Sequence, residues 1–119
     1  MDGGSTSDTL FGKIIRREIA ADIVYENNEV VGFRDRHPQA PEHLLFVPRK
    51  AITSLDDATA EDASLLGKLL LACAAYARKE GLAESGYRVV INCKEHGGQT
   101  VYHLHVHLLA GRQMQWPPG

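Results

Sequence analysis

His103-Leu104-His105-Val106-His107-Leu108-Leu109 alternates strictly between imidazole and aliphatic side chains. On a strand, successive side chains point to opposite faces, so this stretch puts three imidazoles on one face and Leu104, Val106 and Leu108 on the other. The aliphatic face anchors in a core, and the histidine face is left for chemistry. A single histidine on a strand is usually structural. Three in succession gain nothing over Thr or Val as sheet filler, because each ring needs partners for two nitrogens.

Working outward, the spacing predicts a strand over 101–109, preceded by another over 87–92, with the glycine-containing loop Cys93 to Thr100 between them. Before these, Thr59-Ala-Glu-Asp62 has the spacing of a capping box. Leu65, Leu66, Leu69, Leu70, Cys73, Ala74 and Ala77 then recur at helical spacing until Gly81 stops them. One long helix with one apolar stripe implies packing on one face of a sheet. Pro38 and Pro41 bracket a fixed loop that leads into a strand over 43–47, with Pro48 at its end. Residues 23–26 and 30–34 read as a hairpin around Asn27-Asn28. Asp8 or Thr9 caps a short helix running through Glu18, and residues 1 to about 8 form a mobile tail with little to bury. Five strands, one long helix and one short one give an α+β fold with a mainly antiparallel sheet.

At 119 residues and 44% hydrophobic content the chain suits one core, which makes 9–119 a single domain. A formal net charge of -2 offers no long-range attraction for DNA or RNA, so no nucleic-acid partner is expected and any phosphate contact is local. The first residues do not resemble a secretory signal, and the longest apolar run, 69–77, is too short to span a bilayer. A soluble protein, cytoplasmic and without membrane contact, is expected. The two cysteines, Cys73 and Cys93, read as thiols.

Two chemistries compete for the histidine row. A metal is one, since imidazole is a common zinc ligand. The outer two residues, however, stand about 13 Å apart on a strand rising roughly 3.3 Å per residue, too far for one ion to gather all three rings. Two could chelate, with His43, His37, His96 or an acid completing the set. The other is nucleophilic catalysis at phosphorus, which requires a neutral imidazole, donors for the developing charge and a partner for the leaving group. Histidine is largely neutral at pH 7, and Gly97-Gly98 lets backbone N–H groups approach a phosphate.

The triple repeat of histidine and hydrophobic residue resembles the signature of the histidine triad (HIT) family. Asp8 to Ile19, Pro38-Gln-Ala-Pro41, His43, Gly97-Gly-Gln99, Val101-Tyr102, Gly111-Arg-Gln-Met114 and Trp116-Pro-Pro-Gly119 extend the similarity to its nucleotide-binding Hint branch. The resemblance implies a HIT-like fold whose five-stranded sheet continues across a homodimer. It also implies hydrolysis of the P–N bond of AMP or GMP phosphoramidates, with no cofactor and no metal. Residue by residue, His105 matches the transiently nucleotidylated nucleophile, and His107 a phosphate and leaving-group partner. His103 matches the support of the His105 ring, and His43 a fourth histidine continuing that relay. Asn92, Gly98 and Thr100 match phosphate contacts and Asp35 the ribose acceptor. Leu10, Phe11, Ile14, Phe33 and Leu45 match the base pocket. Trp116 matches a residue reaching the partner subunit's site and tuning the amine specificity.

The chain departs from that pattern in places. Thr100 stands where Ser is usual, Gln115 replaces a histidine, and Arg36 puts a permanent charge beside the ribose site where an aliphatic residue is common. Thr9 and Gly12 occupy the places of a zinc-binding cysteine pair. Two further functions remain open: a nucleotide-binding regulatory protein with slow residual turnover, and a dinucleoside polyphosphate hydrolase. A nuclear fraction is compatible with either.

Overall fold

The computed structural model describes residues 9–119, so the tail expected over 1–8 lies outside the described residues. Thr9 caps the first helix, α1 (Leu10–Ile15), its hydroxyl accepting from the Gly12 N–H at 3.1 Å. The helix is shorter than the sequence suggests. It does not run through Glu18, because Arg17 turns into left-handed backbone (φ 61°) and the Glu18 N–H closes back on the Lys13 carbonyl. Strands β1 (Ile23–Glu26) and β2 (Val30–Arg34) form the expected hairpin, with Asn27 Oδ1 accepting from the N–H groups of Glu29 and Val30. Strand β3 (Glu42–Pro48) follows.

The capping box forms at Thr59 and Asp62, but on a single 3₁₀ turn, Ala60–Asp62, that runs on into the long helix α2 (Ala63–Lys79). Past its C-cap at Glu80, Gly81 (φ 75°) ends it in a Schellman arrangement, with Leu82 N–H on the Ala77 carbonyl and Gly81 N–H on that of Arg78. The stripe buried on the sheet is Leu65, Leu69, Ala72, Cys73, Tyr76 and Ala77. Leu66 and Leu70, assigned to it from spacing, lie at its margin, with Leu70 48% exposed.

Two strands are shorter than expected. Strand β4 is Tyr87–Val90 rather than 87–92, and β5 is Val106–Ala110 rather than 101–109. Pairing ends at Phe46 opposite Val106 and at Val90 opposite His107, so His103 and His105 precede the ladder. That segment is tied instead by the Leu104 N–H to the Ile52 carbonyl at 2.7 Å. The 93–100 connection contains a one-turn helix, α3 (Lys94–Gly97), closed by Gly98 in left-handed backbone (φ 81°).

The five strands form one antiparallel sheet in the order β1-β2-β3-β5-β4. Its two faces are built differently. Val30, Leu44, Phe46, Leu104, Val106 and Leu108 pack under α2. Gly32 belongs to this face by alternation, and a Cβ there would stand 2.7 Å from the Phe46 ring, so the aromatic takes the glycine's space. Val31, Phe33, Leu45 and Val47 point the other way, against Phe11 and Ile14 of α1. His43 and His107 also lie on the α1 face: Leu45 stands opposite His107, and His43 opposite Leu109. Among the described residues no helix is long and apolar enough to cross a membrane.

Candidate active site

Because α1 covers only part of its sheet face, it leaves a cavity of about 280 Å³ between itself, β2 and the chain leading into β5. Leu10, Phe11, Ile14, Phe33 and Leu45 form its apolar wall, and Asp35, Thr100, His105 and His107 face it from the polar side. The Phe11 ring stands edge-on to both His105 (centroids 4.8 Å, 84°) and Phe33 (5.4 Å, 67°), so the apolar wall also fixes the central imidazole.

The hydrogen bonds decide where each ring proton sits. His105 Nδ1 lies 2.7 Å from the His103 carbonyl, which can only accept, so Nδ1 carries the proton and Nε2 keeps its lone pair. His103 Nε2 likewise donates to the Pro48 carbonyl at 2.8 Å. His43 is held the other way: the Gln39 N–H donates into its Nδ1 at 3.0 Å, which leaves the proton on Nε2. That Nε2–H donates to His107 Nδ1 at 2.9 Å, so the neutral His107 ring carries its proton on Nε2. His105 thus presents a bare nitrogen and His107 an N–H, their rings 5.0 Å apart beside one cavity. The relay suggested by the sequence divides in two. His103 supports His105 through its main-chain carbonyl rather than its ring, and His43 bonds to His107 rather than to the nucleophile candidate.

All four rings are biased toward the neutral form. Burial lowers His103 and His105, outweighing the bonds to Pro48 and His103 that favour their charge. Burial, then the neighbouring His105 and His43, pushes His107 down to about 4. Burial also lowers His43 against the opposing pull of Asp35. A neutral imidazole at neutral pH is what a nucleophile requires.

Asp35 Oδ1 accepts from the His37 N–H at 2.8 Å, making a turn, and the carboxylate also lines the cavity, with Oδ2 3.4 Å from His43 Nε2. Asn92 and Gly98 lie in the adjoining connection at the two ends of α3, outside the cavity lining. Buried Gln99 holds that connection: its Oε1 accepts from the Lys94 N–H, and its Nε2 donates to the Thr53 and Val101 carbonyls. Thr100 is thereby set at the cavity edge. Trp116 is 82% exposed and packs little against its own chain.

Sequence reasoning missed Ala21, Asp22, Arg34, His37 and Val101 in the lining. Arg34 bridges Asp22 and Glu42, at 3.4 and 3.2 Å, and Arg36, also in the lining, donates from Nη2 to the Ala20 carbonyl. The dense run Arg34-Asp35-Arg36-His37, at the end of an apolar strand, is the signal that could have marked this rim.

Asp35, His43 and His107 bring ligand atoms within 4.8 Å of one another, a reach that suits a cation. The tautomers oppose it. A ligating histidine normally donates its second N–H to an acceptor, whereas a backbone N–H points into His43 Nδ1. His43 Nε2 cannot offer a lone pair while that bond stands.

Comparison with known proteins agrees with this geometry. The HIT domain family model matches residues 16–114. A HIT-like protein of Synechococcus elongatus is 60% identical over 114 residues, covering 96% of this chain and 99% of that protein. The purine nucleoside phosphoramidase of Escherichia coli K12 is 50% identical over 107 residues, 90% of each. Among solved structures, a HIT family hydrolase from Legionella pneumophila superposes with a TM-score of 0.92 at 49% identity, covering 94% of this chain and 100% of that one. A histidine triad protein from Clostridium difficile gives 0.88 at 38%, covering 91% and 94%. Fold and site together define an α+β protein with an imidazole row beside a half-apolar cavity. This chain belongs to the HIT family.

Proposed function

We propose that this protein hydrolyses the P–N bond of purine nucleoside 5′-phosphoramidates, with His105 as the nucleophile. One observation carries the reading: the only ring nitrogen of His105 left without a proton is Nε2, on a neutral imidazole at the cavity. The purine lies in the slot of Leu10, Phe11, Ile14, Phe33 and Leu45, and its ribose hydroxyls donate to Asp35, while Thr100 and Asn92 receive the phosphate, joined by the Gly98 N–H once it gives up the Glu95 carbonyl it holds at 3.0 Å. Nε2 attacks phosphorus, the P–N bond breaks, and the amine leaves with one proton drawn from solvent, its nitrogen facing the Nε2–H of His107. Water then attacks the nucleotidyl-histidine, the P–Nε2 bond breaks, and a proton returns to solvent. Only water is consumed. The 50% identity to an enzyme named purine nucleoside phosphoramidase supports the substrate class.

A homodimer belongs to the same reading. Strand β4 ends the sheet, with Tyr87 and Val89 each 36% exposed. Beside it Leu55, Leu66, Leu70 and Ile91 border an apolar groove, and Leu71 is 67% exposed. A second copy pairing along β4 would continue the sheet, cover these side chains and receive Trp116 near its own cavity.

The test is steady-state hydrolysis of an adenosine phosphoramidate by the wild type and His105→Ala, with AMP affinity measured on both. Loss of kcat by several orders of magnitude with AMP binding retained is the expected result. AMP binding by both without turnover by the wild type would make this a binding protein instead.

A further inference from the structure

Two conspicuous motifs, Pro38-Gln-Ala-Pro41 and Gly111-Arg112, play no part in the reaction above, and the fold packs one against the other. Gly111 adopts left-handed backbone (φ 97°), and a Cβ on it would stand 2.8 Å from Pro41 Cβ. Only a residue without a side chain lets the chain leaving β5 lie so close to that loop. The approach brings Arg112 over the loop, where Nε and Nη2 both donate to the Gln39 carbonyl, at 3.2 and 3.0 Å. The third guanidinium nitrogen, Nη1, turns to the Gln113 carbonyl at 3.3 Å.

Gln39 is also the residue whose N–H donates into His43 Nδ1. Pro38 and Pro41 have no N–H, so the loop has few donors with which to hold itself. Arginine supplies the grip from outside, its planar fork closing two bonds on one oxygen. From that carbonyl the chain of contacts continues through Gln39 N–H, His43 Nδ1 and Nε2, and His107 Nδ1 to the His107 Nε2–H at the cavity. Arg112 itself does not line the cavity.

We propose that Arg112 is a positioning residue: by gripping the Gln39 carbonyl it keeps the Gln39 N–H on His43, and so fixes which nitrogen of His107 turns its N–H to the leaving group as a hydrogen-bond donor. Without the grip the loop shifts, His43 Nδ1 loses its donor, and His43 becomes free to carry its proton on either nitrogen. His107 then no longer receives a reliable donor at Nδ1 and presents a bare nitrogen to the departing amine part of the time. The kinetic consequence rests on the phosphoramidase reading; the tautomer consequence does not.

The experiment therefore has two arms. Imidazole ¹⁵N shifts at neutral pH should show His43 and His107 each protonated on Nε2 in the wild type and as tautomer mixtures in Arg112→Ala. In kinetics, an alkylamine phosphoramidate of adenosine needs a donor at the leaving nitrogen, whereas the p-nitrophenyl ester of AMP releases a delocalised phenolate that needs none. Arg112→Ala should lower kcat on the first about tenfold, the scale of a slightly misplaced catalytic group, while leaving KM and the ester rate nearly unchanged. Arg112→Lys, which keeps a donor, should recover most of the loss. If Arg112→Ala does not fold, Arg112→Met, which keeps the apolar stem, takes its place. Unchanged tautomers in the variant, or equal losses on both substrates, would overturn the proposal. A wild type silent on both substrates would instead overturn the phosphoramidase reading, and the tautomers alone would decide the role of Arg112.

Discussion

Lowering the pH from 7 to 5 should destabilise this protein, with His107 alone carrying about 2 kcal/mol of the loss. In the folded chain, burial together with His105 and His43 pushes it from 6.5 down to about 4; unfolding restores the ordinary value. Below 6.5 the unfolded chain binds the proton more readily, so stability is full above that value, falls as the pH drops toward about 4, and levels off beyond. At pH 5 nearly every unfolded His107 is protonated and few folded ones are, a roughly 30-fold bias that converts to about 2 kcal/mol. His103, His105 and His43 are also lowered by burial and steepen the total slope in the same direction. The assay is urea unfolding of the wild type and His107→Asn at both pH values. The asparagine oxygen can accept the His43 Nε2–H in place of Nδ1, so the variant keeps that bond and loses only the titration. Its loss between pH 7 and 5 should be about 2 kcal/mol smaller. Equal losses in the two proteins would refute the reasoning.

Leu104→Ala, which empties a fully buried position under α2, should cost about 3 kcal/mol in the same unfolding experiment without changing the cavity. Gly32→Ala should cost about 1–3 kcal/mol, because its methyl group meets the Phe46 ring. Arg36→Ile removes a cation from the cavity lining, and should change KM for adenosine and guanosine phosphoramidates unequally, by a factor of about 3 to 10, with kcat little altered. Dialysis against a chelator should leave kcat unchanged, since His43 keeps its proton on the nitrogen that a metal would need; lost activity restored by zinc would contradict that assignment.

Much of this was legible from the alternation of His103 to Leu109, but its geometry was not. Leu104, Val106 and Leu108 do share the α2 face, as period two requires, although only the last two lie in a strand. Periodicity records which side a residue faces and is blind to whether a partner strand continues beside it. Here the pairing of β3 with β5 stops at Phe46, and the Ile52 carbonyl takes over. The same limit affects α1: its apolar residues continue past Ile15, and nothing local announces that Arg17 will turn left-handed. Leu66 and Leu70 fit the helical stripe by spacing, yet Leu66 is only half-buried against the core and Leu70 is exposed. At the site, the apolar wall and Asp35 were named through the resemblance to the HIT family and do line the cavity, although by residue type alone the one reads as core and the other as a turn. The tautomers could not be named from the chain, since they are set by the backbone of Gln39, Pro48 and His103, where sequence identity carries no information about direction.

The first histidine of the row acts through its backbone. What His103 gives to His105 is its peptide oxygen, an atom common to all twenty amino acids, while its ring serves as a strut against Pro48 with Nδ1 enclosed and unpartnered. Replacing the side chain therefore cannot delete the contact that orients His105; it can only let the oxygen drift. A substitution at 103 measures how firmly the main chain is braced there, and removing the contact itself would require altering the peptide link between residues 103 and 104.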